Sequence, residues 1–184
     1  MLTKSEEKKV LRKEVLSVRS CLSVEEVYAA SKEICEKIIS DIRYISSKNI
    51  CIYMPIKNEV NVELLFSKYY DERKNYFIPK TEGNNMAFYR YTGKNDLKPG
   101  RFNIPEPIGN IEPDYSLNTL IIMPGAVFSK DNGRIGYGGG YYDRFLKAHE
   151  TCNTIAVCYS FQIKDKIPQE KNDIKPQIII SGGL

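Results

Sequence analysis

Residues 120–145 read LIIMPGAVFSKDNGRIGYGGGYYDRF, and this stretch gives the clearest indication of the fold. It begins with an apolar run that ends at a proline, which is typical of a buried β-strand. Five of the twelve glycines of the chain then fall between positions 133 and 140. The residues after them predict a helix over 141–149. A strand, a glycine-rich loop and a helix in this order are typical of an α/β protein.

The rest of the chain also alternates between predicted strands and helices. Short apolar runs predict strands at residues 49–55, 76–80, 86–91, 120–124, 154–158 and 177–180. Helical spacing of apolar residues predicts helices at residues 4–20, 23–43, 60–71 and 141–149. Capping boxes mark the starts of the first two helices, at Thr3 and Ser23. We therefore predict an α/β fold with a largely parallel central sheet flanked by helices, in a single layered domain over residues 1–184. Four prolines between 92 and 119 predict a long irregular connection.

The glycine-rich loop has the composition of an anion-binding site. Because glycines lack β-carbons, a phosphate can approach several backbone N–H groups at the start of the following helix. Arg134 adds a cationic fork, the tyrosines offer ring faces, and Asp143 is a suitable Mg²⁺ ligand beside bound phosphates. The alternative is a glycine-rich turn whose tyrosines pack in the core. The loop has neither the Walker spacing nor the dinucleotide-binding spacing of glycines.

Two features outside the loop could belong to the same site. Lys8, Arg12 and Arg19 lie close to one line along the first predicted helix, beside its apolar stripe, and could reach into a neighbouring cleft. The alternative is an ordinary solvated helix face. Glu59 follows the first predicted strand, and the ends of strands face the ligand crevice in open α/β folds. Its carboxylate could accept hydrogen bonds from the N–H groups of a heterocycle, or it could be a solvated loop acid.

The remaining composition narrows the chemistry. With His149 as the single histidine, an H-E-x-x-H zinc site is excluded, and no G-x-S-x-G motif is present. We therefore expect chemistry that depends on charge neutralisation and positioning, as in phosphoryl transfer. Outside the basic N-terminal helix the net charge is close to zero, which argues against a broad nucleic-acid-binding face. No apolar run has the length of a membrane span, and five cysteines without a C-x-x-C pair are typical of reduced thiols in a cytoplasmic protein.

The glycine motif GRIGYGGGYYDRFL at 133–146, preceded by MPGAVF at 123–128, closely resembles the signature of 5-formyltetrahydrofolate cyclo-ligases, also called methenyltetrahydrofolate synthetases. The resemblance extends along the chain. Residues 8–12, KKVLR, resemble the basic N-terminal segment of that family. Residues 54–59, MPIKNE, resemble its M-x-x-x-x-E segment after the first strand. Residues 97–107, LKPGRFNIPEP, resemble its L-x-x-G-x-x-x-I-x-E-P connection.

The resemblance implies an ATP- and Mg²⁺-dependent enzyme that converts 5-formyltetrahydrofolate into 5,10-methenyltetrahydrofolate and releases ADP and phosphate. It implies that the formyl oxygen attacks the γ-phosphorus of ATP and that N10 then closes the ring, without a protein nucleophile. The implied catalytic residues are Arg134 and Asp143, and Asp143 is also the implied metal ligand. The implied ATP-binding residues are Lys8, Lys9, Val10, Leu11, Arg12, Arg134, Ile135, Gly136, Tyr137, Gly138, Gly139, Gly140, Tyr141 and Tyr142. The implied folate-binding residues are Met54, Glu59, Tyr137, Gly138, Gly139, Gly140 and Tyr141.

One position departs from the family pattern. Members often carry an acid four residues after the aspartate matched here by Asp173, whereas this chain has Gln177, which offers a carbonyl oxygen but no charge. Two other functions stay open on the sequence alone. One is a non-catalytic module that binds a nucleotide or phosphosugar through the same loop, and the other is a nucleic-acid-binding protein. We expect a cytoplasmic monomer whose partners are ATP and a folate, with no nucleic acid and no membrane.

Overall fold

The computed structural model describes residues 2–100 and 104–183, and helices flank its central sheet. The helices are α1 Lys4–Ser20, α2 Val24–Ser40, α3 Ile42–Ser46 and α4 Tyr141–Ala148. The strands are β1 Asn49–Cys51, β2 Asn75–Glu82, β3 Asn85–Arg90, β4 Leu97–Pro99, β5 Pro105–Pro107, β6 Thr119–Met123, β7 Val127–Ser129, β8 Arg134–Ile135, β9 Asn153–Tyr159, β10 Ile163–Lys164 and β11 Ile178–Gly182.

The central sheet has six strands in the order β11-β9-β6-β1-β2-β3. Every neighbouring pair is parallel except β2 and β3, which form an antiparallel hairpin at one edge. The predicted α/β class with a largely parallel sheet is therefore confirmed. Parallel strands need crossover connections, which is why helices cover both faces of this sheet.

Side chains of the sheet alternate between two apolar cores. Ile50 belongs to the core that contains Ile34 of α2, whereas the next residue, Cys51, belongs to the core that contains Phe145 of α4. This alternation follows from the two-residue period of a strand. The result is three layers, with α2 on one face of the sheet and α4 on the other.

Both predicted capping boxes are present at the starts of α1 and α2. The second helix, however, ends at Ser40 rather than near residue 43. Asp41 adopts an extended backbone conformation, and its side chain caps the short helix α3 by accepting a hydrogen bond from the Arg43 N–H. A second helix start, provided by a good N-cap residue, therefore interrupts the apolar periodicity.

The predicted helix at 60–71 is wrong. A 3-10 turn forms there instead, over Val62–Leu65. Val62, Leu64 and Leu65 are all buried, so apolar side chains pack into the core from more than one side of the turn. β-branched and aromatic residues are weak helix formers, and packing determines the path of the chain here.

The connection at 92–119 is irregular as predicted, but it contains the antiparallel pair β4 and β5. Residues 101–103, which belong to the segment 97–107 that resembles the cyclo-ligase family, lie outside the described residues.

A second, three-stranded sheet in the order β10-β7-β8 was not predicted from the sequence. It packs against α1 through a small core that contains Val15 and Ile135. The glycine-rich loop therefore follows the two-residue strand β8, and not β6 directly as the sequence suggested. Within the described ranges, no helix combines the length and the apolar character that a bilayer crossing requires.

Candidate active site

The glycine-rich loop, residues 136–140, lies at the carboxyl ends of the parallel strands. Arg134, just before the loop, donates a hydrogen bond of 3.4 Å to the carbonyl of Pro124, which follows β6. Tyr137 in the loop donates its hydroxyl to Glu59, on the segment after β1. The hydroxyl of Tyr159, the last residue of β9, donates to Asn58 on that same segment at 3.1 Å. The ends of three neighbouring strands thus meet at one place, which is where open α/β sheets bind ligands.

The loop itself is open to solvent, with Gly138 and Gly139 exposed. Gly138 has φ 99° and Gly140 has φ 65°, a left-handed conformation that favours glycine. Within the part of the chain that the structure describes, the amide N–H groups of Gly138, Gly139 and Gly140 have no hydrogen-bond acceptor. These amides and the N-terminus of α4 form a cluster of donors that suits an anion. A turn buried in the core, the alternative from the sequence, does not fit this exposure.

The loop is tied to the hairpin of β2 and β3. The Arg144 guanidinium donates to the carbonyl of Gly139 at 2.8 Å and to the carbonyl of Asn84 at 2.6 Å. The Tyr141 hydroxyl donates to the carbonyl of Gly83 at 3.0 Å. These contacts hold the shape of the loop from its outer side, so that the free amides are presented in a defined direction. Arg144 was not among the predicted site residues, although it lies within the glycine motif.

The basic row of α1, formed by Lys8, Arg12 and Arg19, faces the protein rather than solvent. Lys8 and Arg19 are buried and Arg12 is half-buried, so the solvated-face alternative is wrong for this row. Arg12 donates through Nε to the carbonyl of Gly136 at 2.8 Å, and its guanidinium lies beside Gly138. The row spans about 16 Å along α1, since each residue adds 1.5 Å. It runs from the C-terminal segment, across the glycine-rich loop, to the segment that carries Glu59.

Lys8 is held by two carboxylates. Its Nζ lies 2.7 Å from Glu170 Oε2 and 2.6 Å from Asp173 Oδ2. Burial by itself would lower the pKa of Lys8, but hydrogen bonds and the charges of the two acids outweigh burial and raise it. The residue after Asp173 donates its backbone N–H to Asp143 Oδ1 at 3.1 Å. Lys8 is therefore connected to Asp143 through a short stretch of chain.

Arg134 and Asp143 form the charged centre of the site. Arg134 Nη2 lies 3.0 Å from Asp143 Oδ1, and the side chain of Arg134 is 3% exposed. The Nε of Arg134 and the hydroxyl of Tyr142 are buried, and within the described residues neither has a hydrogen-bond partner. Two buried polar atoms without partners in one cluster are unusual, because each carries the cost of desolvation. Their hydrogen-bonding capacity is not used by the described residues.

The residues around Asp143 are compatible with Mg²⁺. In the described ranges no group of three or more His, Cys, Asp or Glu side chains is close enough to hold a metal alone. Mg²⁺ keeps most of its waters and commonly uses one or two carboxylates together with the phosphates of a substrate. Asp143 Oδ1 accepts from Arg134 and from the backbone, which leaves Oδ2 of the partly exposed carboxylate for such a metal.

Glu59 is buried rather than solvated, with 5% of its surface exposed. Its Oε1 accepts the hydroxyl of Tyr137, and its Oε2 accepts the Ile56 N–H at 2.9 Å. Burial raises the pKa of Glu59 above its usual value, while the Tyr137 and Ile56 hydrogen bonds and the charge of Arg19 oppose that rise. A buried carboxylate with two donors can orient a polar heterocycle far more strictly than a solvated one.

Other residues singled out from the sequence have different surroundings. Lys9 and Val10 are exposed, and Leu11 packs against the small core below α1. Met54 is buried in the core on the α2 face. The side-chain oxygen of Gln177 accepts the Thr154 N–H at 3.1 Å and the Arg43 Nε at 3.2 Å, so it is already engaged. His149 packs against the rings of Tyr115 and Phe145, with centroids 4.2 and 4.5 Å away.

Two cavities in the described part of the chain lie elsewhere. One of about 320 Å³ is at the amino end of β2 and is lined by Phe66, Tyr70, Lys74, Tyr76, Arg90, Tyr91 and Thr92. The ammonium group of Lys74 in this cavity already donates to the carbonyls of Tyr44, Ile45 and Ser47. It therefore caps the end of α3 and has no donor left for a ligand. The free amides, unpaired buried atoms and cations are at the opposite ends of the strands, and we place the site there.

An α/β fold with cations and free amides at the ends of its parallel strands is typical of proteins that bind phosphorylated ligands. Comparison with known proteins identifies the family within this class. The model of the 5-formyltetrahydrofolate cyclo-ligase family matches residues 4–182. The chain belongs to this family.

Relatives and solved structures agree with that membership. The chain is 31% identical to mouse 5-formyltetrahydrofolate cyclo-ligase over 188 residues, which cover 95% of this chain and 93% of the mouse protein. An NMR structure of Aquifex aeolicus 5,10-methenyltetrahydrofolate synthetase matches with a TM-score of 0.83 and 34% identity, covering 95% of this chain and 89% of that one. The Mycoplasma pneumoniae 5,10-methenyltetrahydrofolate synthetase matches with a TM-score of 0.76 and 28% identity, covering 95% and 98%.

Proposed function

We propose that this protein catalyses the ATP-dependent cyclisation of 5-formyltetrahydrofolate to 5,10-methenyltetrahydrofolate, with release of ADP and phosphate. The family membership supports the reaction. The observation that carries the site is the meeting of the glycine-rich loop, the basic row of α1 and buried Glu59 at the ends of the parallel strands. We also propose that residues 1–184 form one domain.

The exposed amides of the loop and Arg12 would bind the phosphates of ATP. Within the described residues, Arg12 has one backbone carbonyl as its hydrogen-bond partner, which leaves most of its donors for a ligand, whereas the charge of Lys8 is balanced by two carboxylates. Arg12 is therefore the better candidate for a direct phosphate contact. Lys8 would act by ordering the segment that donates to Asp143. Backbone amides and a guanidinium bind phosphate strongly because both are fixed donors.

Asp143 would hold Mg²⁺, and Arg134 would orient that carboxylate. When bound, Mg²⁺ would neutralise charge on the phosphates. Arg134 is always charged and is buried beside Asp143, so it would also stabilise negative charge that develops on the transferring group.

Glu59 and Tyr137 would bind the folate. The Glu59 carboxylate can accept N–H hydrogen bonds from the pterin once the Tyr137 hydroxyl turns away or shares it. The formyl oxygen of the substrate then attacks the γ-phosphorus, and ADP leaves. N10 attacks the activated carbon, the carbon–oxygen bond breaks, phosphate departs, and N10 loses its proton. The protein contributes alignment and charge neutralisation to these steps, and no side chain forms a covalent bond.

The test is a direct assay with purified protein, 5-formyltetrahydrofolate, ATP and Mg²⁺. We expect methenyl absorbance to rise and ADP to form in equal amount, with no product when ATP is left out. Glu59→Gln should raise the KM for the folate more than the KM for ATP. A protein that binds ATP with the same affinity whether or not folate is present, and forms no product, would be a nucleotide-binding module instead.

We further propose that the protein acts as a cytoplasmic monomer that binds neither nucleic acid nor membranes. The cysteines are free thiols, which is usual in a reducing compartment. Sedimentation at working concentration, with and without ATP, measures the assembly state, and a stable dimer would contradict the monomer.

A further inference from the structure

Arg19 is the most deeply buried charged side chain on α1, with 1% of its surface exposed. It lies at the C-terminal end of the helix, on the same row as Lys8 and Arg12. A buried arginine is costly unless its donors are used and its charge is balanced. The contacts of Arg19 therefore indicate its function.

The guanidinium of Arg19 joins two segments of the site. Its Nη2 donates to the Tyr137 hydroxyl at 2.6 Å, and its Nε donates to the carbonyl of Lys57 at 3.1 Å. Its Nη1 lies 3.9 Å from Glu59 Oε1. One side chain thus contacts the glycine-rich loop, the backbone before Glu59 and the Glu59 carboxylate.

The segment that carries Glu59 needs such support. Lys57 and Asn58 are consecutive residues with positive φ, 48° and 57°, and neither is a glycine. This conformation costs energy for residues with a side chain and persists only where surrounding contacts hold it. Asn58 donates to the backbone carbonyls of Arg19 and Leu22, at 3.3 and 3.0 Å. The end of α1 therefore holds this turn through both backbone and side chain.

Among the described residues, Arg19 is the cation that lies within 4 Å of Glu59 and whose charge acts on its carboxylate. The other titratable groups of the described residues that act on this carboxylate are the hydroxyls of Tyr53, Tyr137, Tyr142 and Tyr159. Arg134 faces Tyr142, whose ring lies 5.5 Å from its guanidinium carbon. Without Arg19, the buried Glu59 carboxylate would lose the positive charge that opposes the effect of burial, and burial disfavours the ionised form.

We propose that Arg19 is a positioning residue that fixes Glu59 and Tyr137 for folate binding, while it leaves ATP binding unaffected. The proposal rests on the proposed role of Glu59. It assigns two members of the basic row to different substrates. Arg12 serves the nucleotide, and Arg19 serves the folate through other residues.

The test compares Arg19→Met and Arg19→Lys with Glu59→Gln and with the control Lys13→Met, an exposed cation on the same helix. We expect Arg19→Met to raise the KM for 5-formyltetrahydrofolate about tenfold or more, because it leaves a buried charge without its partner. The KM for ATP should change by less than about twofold, given that Arg12 and the loop amides are intact. Lys13→Met should change neither constant.

The pH profile separates positioning from a structural effect. Folate use that needs ionised Glu59 falls as pH drops through the pKa of Glu59. Because Arg19 opposes the rise of that pKa, Arg19→Met should move the acid limb of kcat/KM for folate to higher pH. Arg19→Lys keeps the positive charge but loses the forked donor geometry of the guanidinium. Its acid limb of kcat/KM for folate should therefore lie between those of the wild type and Arg19→Met.

The outcomes are distinct. If Glu59→Gln leaves the KM for folate unchanged, the proposed role of Glu59 is wrong. If Glu59→Gln impairs folate use but Arg19→Met changes neither the KM nor the acid limb, only the inference about Arg19 is overturned. Equal increases in both KM values would also overturn it. If Arg19→Met does not fold, Arg19→Lys is the deciding variant. The proposal is contradicted if Arg19→Lys leaves both the KM for folate and the acid limb of kcat/KM for folate unchanged.

Discussion

Helices α1 and α2 have almost the same local description but opposite roles in the molecule. Each has 17 residues and begins with a complete capping box. Helix α2 buries an apolar stripe that includes Ile34 and Ile38, and its charges pair with one another in solvent, as Lys37 does with Glu33 at 2.7 Å. Helix α1 buries two cations, Lys8 and Arg19, and only one large apolar residue, Val15.

A helix with a weak apolar stripe can therefore be held by polar contacts to loops. Those contacts are the candidate site itself, because Lys8, Arg12 and Arg19 each bind a segment next to a strand end. Changes in α1 should therefore alter activity, and changes in α2 should alter stability. Four substitutions test that division, in decreasing order of expected effect.

Asp143→Asn should have the largest effect. Asp143 is the proposed metal ligand and lies at the end of the connection that starts at Lys8 of α1. Loss of its charge should lower kcat roughly 100- to 1,000-fold, because charge stabilisation in the transition state is the main contribution of this site. Steady-state turnover at saturating substrates measures it. The control is Asp165→Asn, an exposed acid that pairs with Lys130 on the surface. Unchanged turnover in Asp143→Asn would remove Asp143 from the mechanism.

Ile34→Ala should destabilise the fold without changing the reaction. Ile34 is fully buried on α2, and truncation of such a residue costs about 2–5 kcal/mol of unfolding free energy. Urea denaturation measures the loss, and both KM values should stay at the wild-type level while the protein is folded. Ile42→Ala, at a position that is 68% exposed, is the matched control and should cost far less. A change in KM for Ile34→Ala would show that α2 also acts on the site.

Arg12→Met should weaken nucleotide use. A hydrogen bond to a charged group is worth about 1.5–3 kcal/mol, so we expect the KM for ATP to rise roughly tenfold to 100-fold. The KM for folate should change little, which is the reverse of the pattern expected for Arg19→Met. Initial rates with each substrate varied in turn distinguish the two. Equal effects on both substrates would mean that the row acts as one unit.

Lys32→Met should have the smallest effect. The Lys32 ammonium lies 3.8 Å from Glu36 on α2, and both side chains are about half exposed, at 46% and 51%. Exposed pairs of this kind contribute about 0.5 kcal/mol or less. Thermal unfolding at low and high salt should show a small difference that salt removes. A loss of several kcal/mol would mean that this charge has a structural role comparable to those of the cations of α1.

The predicted parts of the fold were those with local signals. Ser23 with Glu26 marks a helix start within four residues, and the apolar run at 120–124 marks a buried strand. The segment 60–71 was misread because its spacing of apolar residues fits a helix, whereas Leu64 and Leu65 are both buried and the chain makes a single 3-10 turn. Strands of two or three residues, such as β8, are too short for any periodicity to reveal them.

The candidate site was predicted unevenly for the same reason. The glycine-rich loop and Asp143 lie in one motif, so their proximity follows from the chain itself. The sequence identified Glu59 as a candidate but did not reveal that it is buried. The sequence also placed Arg19 in the basic row but did not indicate which residues Arg19 contacts. Lys9 and Val10 belong to a matching segment, yet they face solvent because a helix turns neighbouring residues to different sides.

The amino-acid sequence alone determined the order of the elements, the helix starts and the anion-binding character of the loop, since each depends on residues a few positions apart. Which charges meet depends on the folding of the whole chain. Arg19, Glu59 and Tyr137 come from three distant segments, and their contact exists because the strand ends and α1 converge. Burial then gives that contact its strength, because charges removed from water interact far more strongly with their neighbours than charges on the surface.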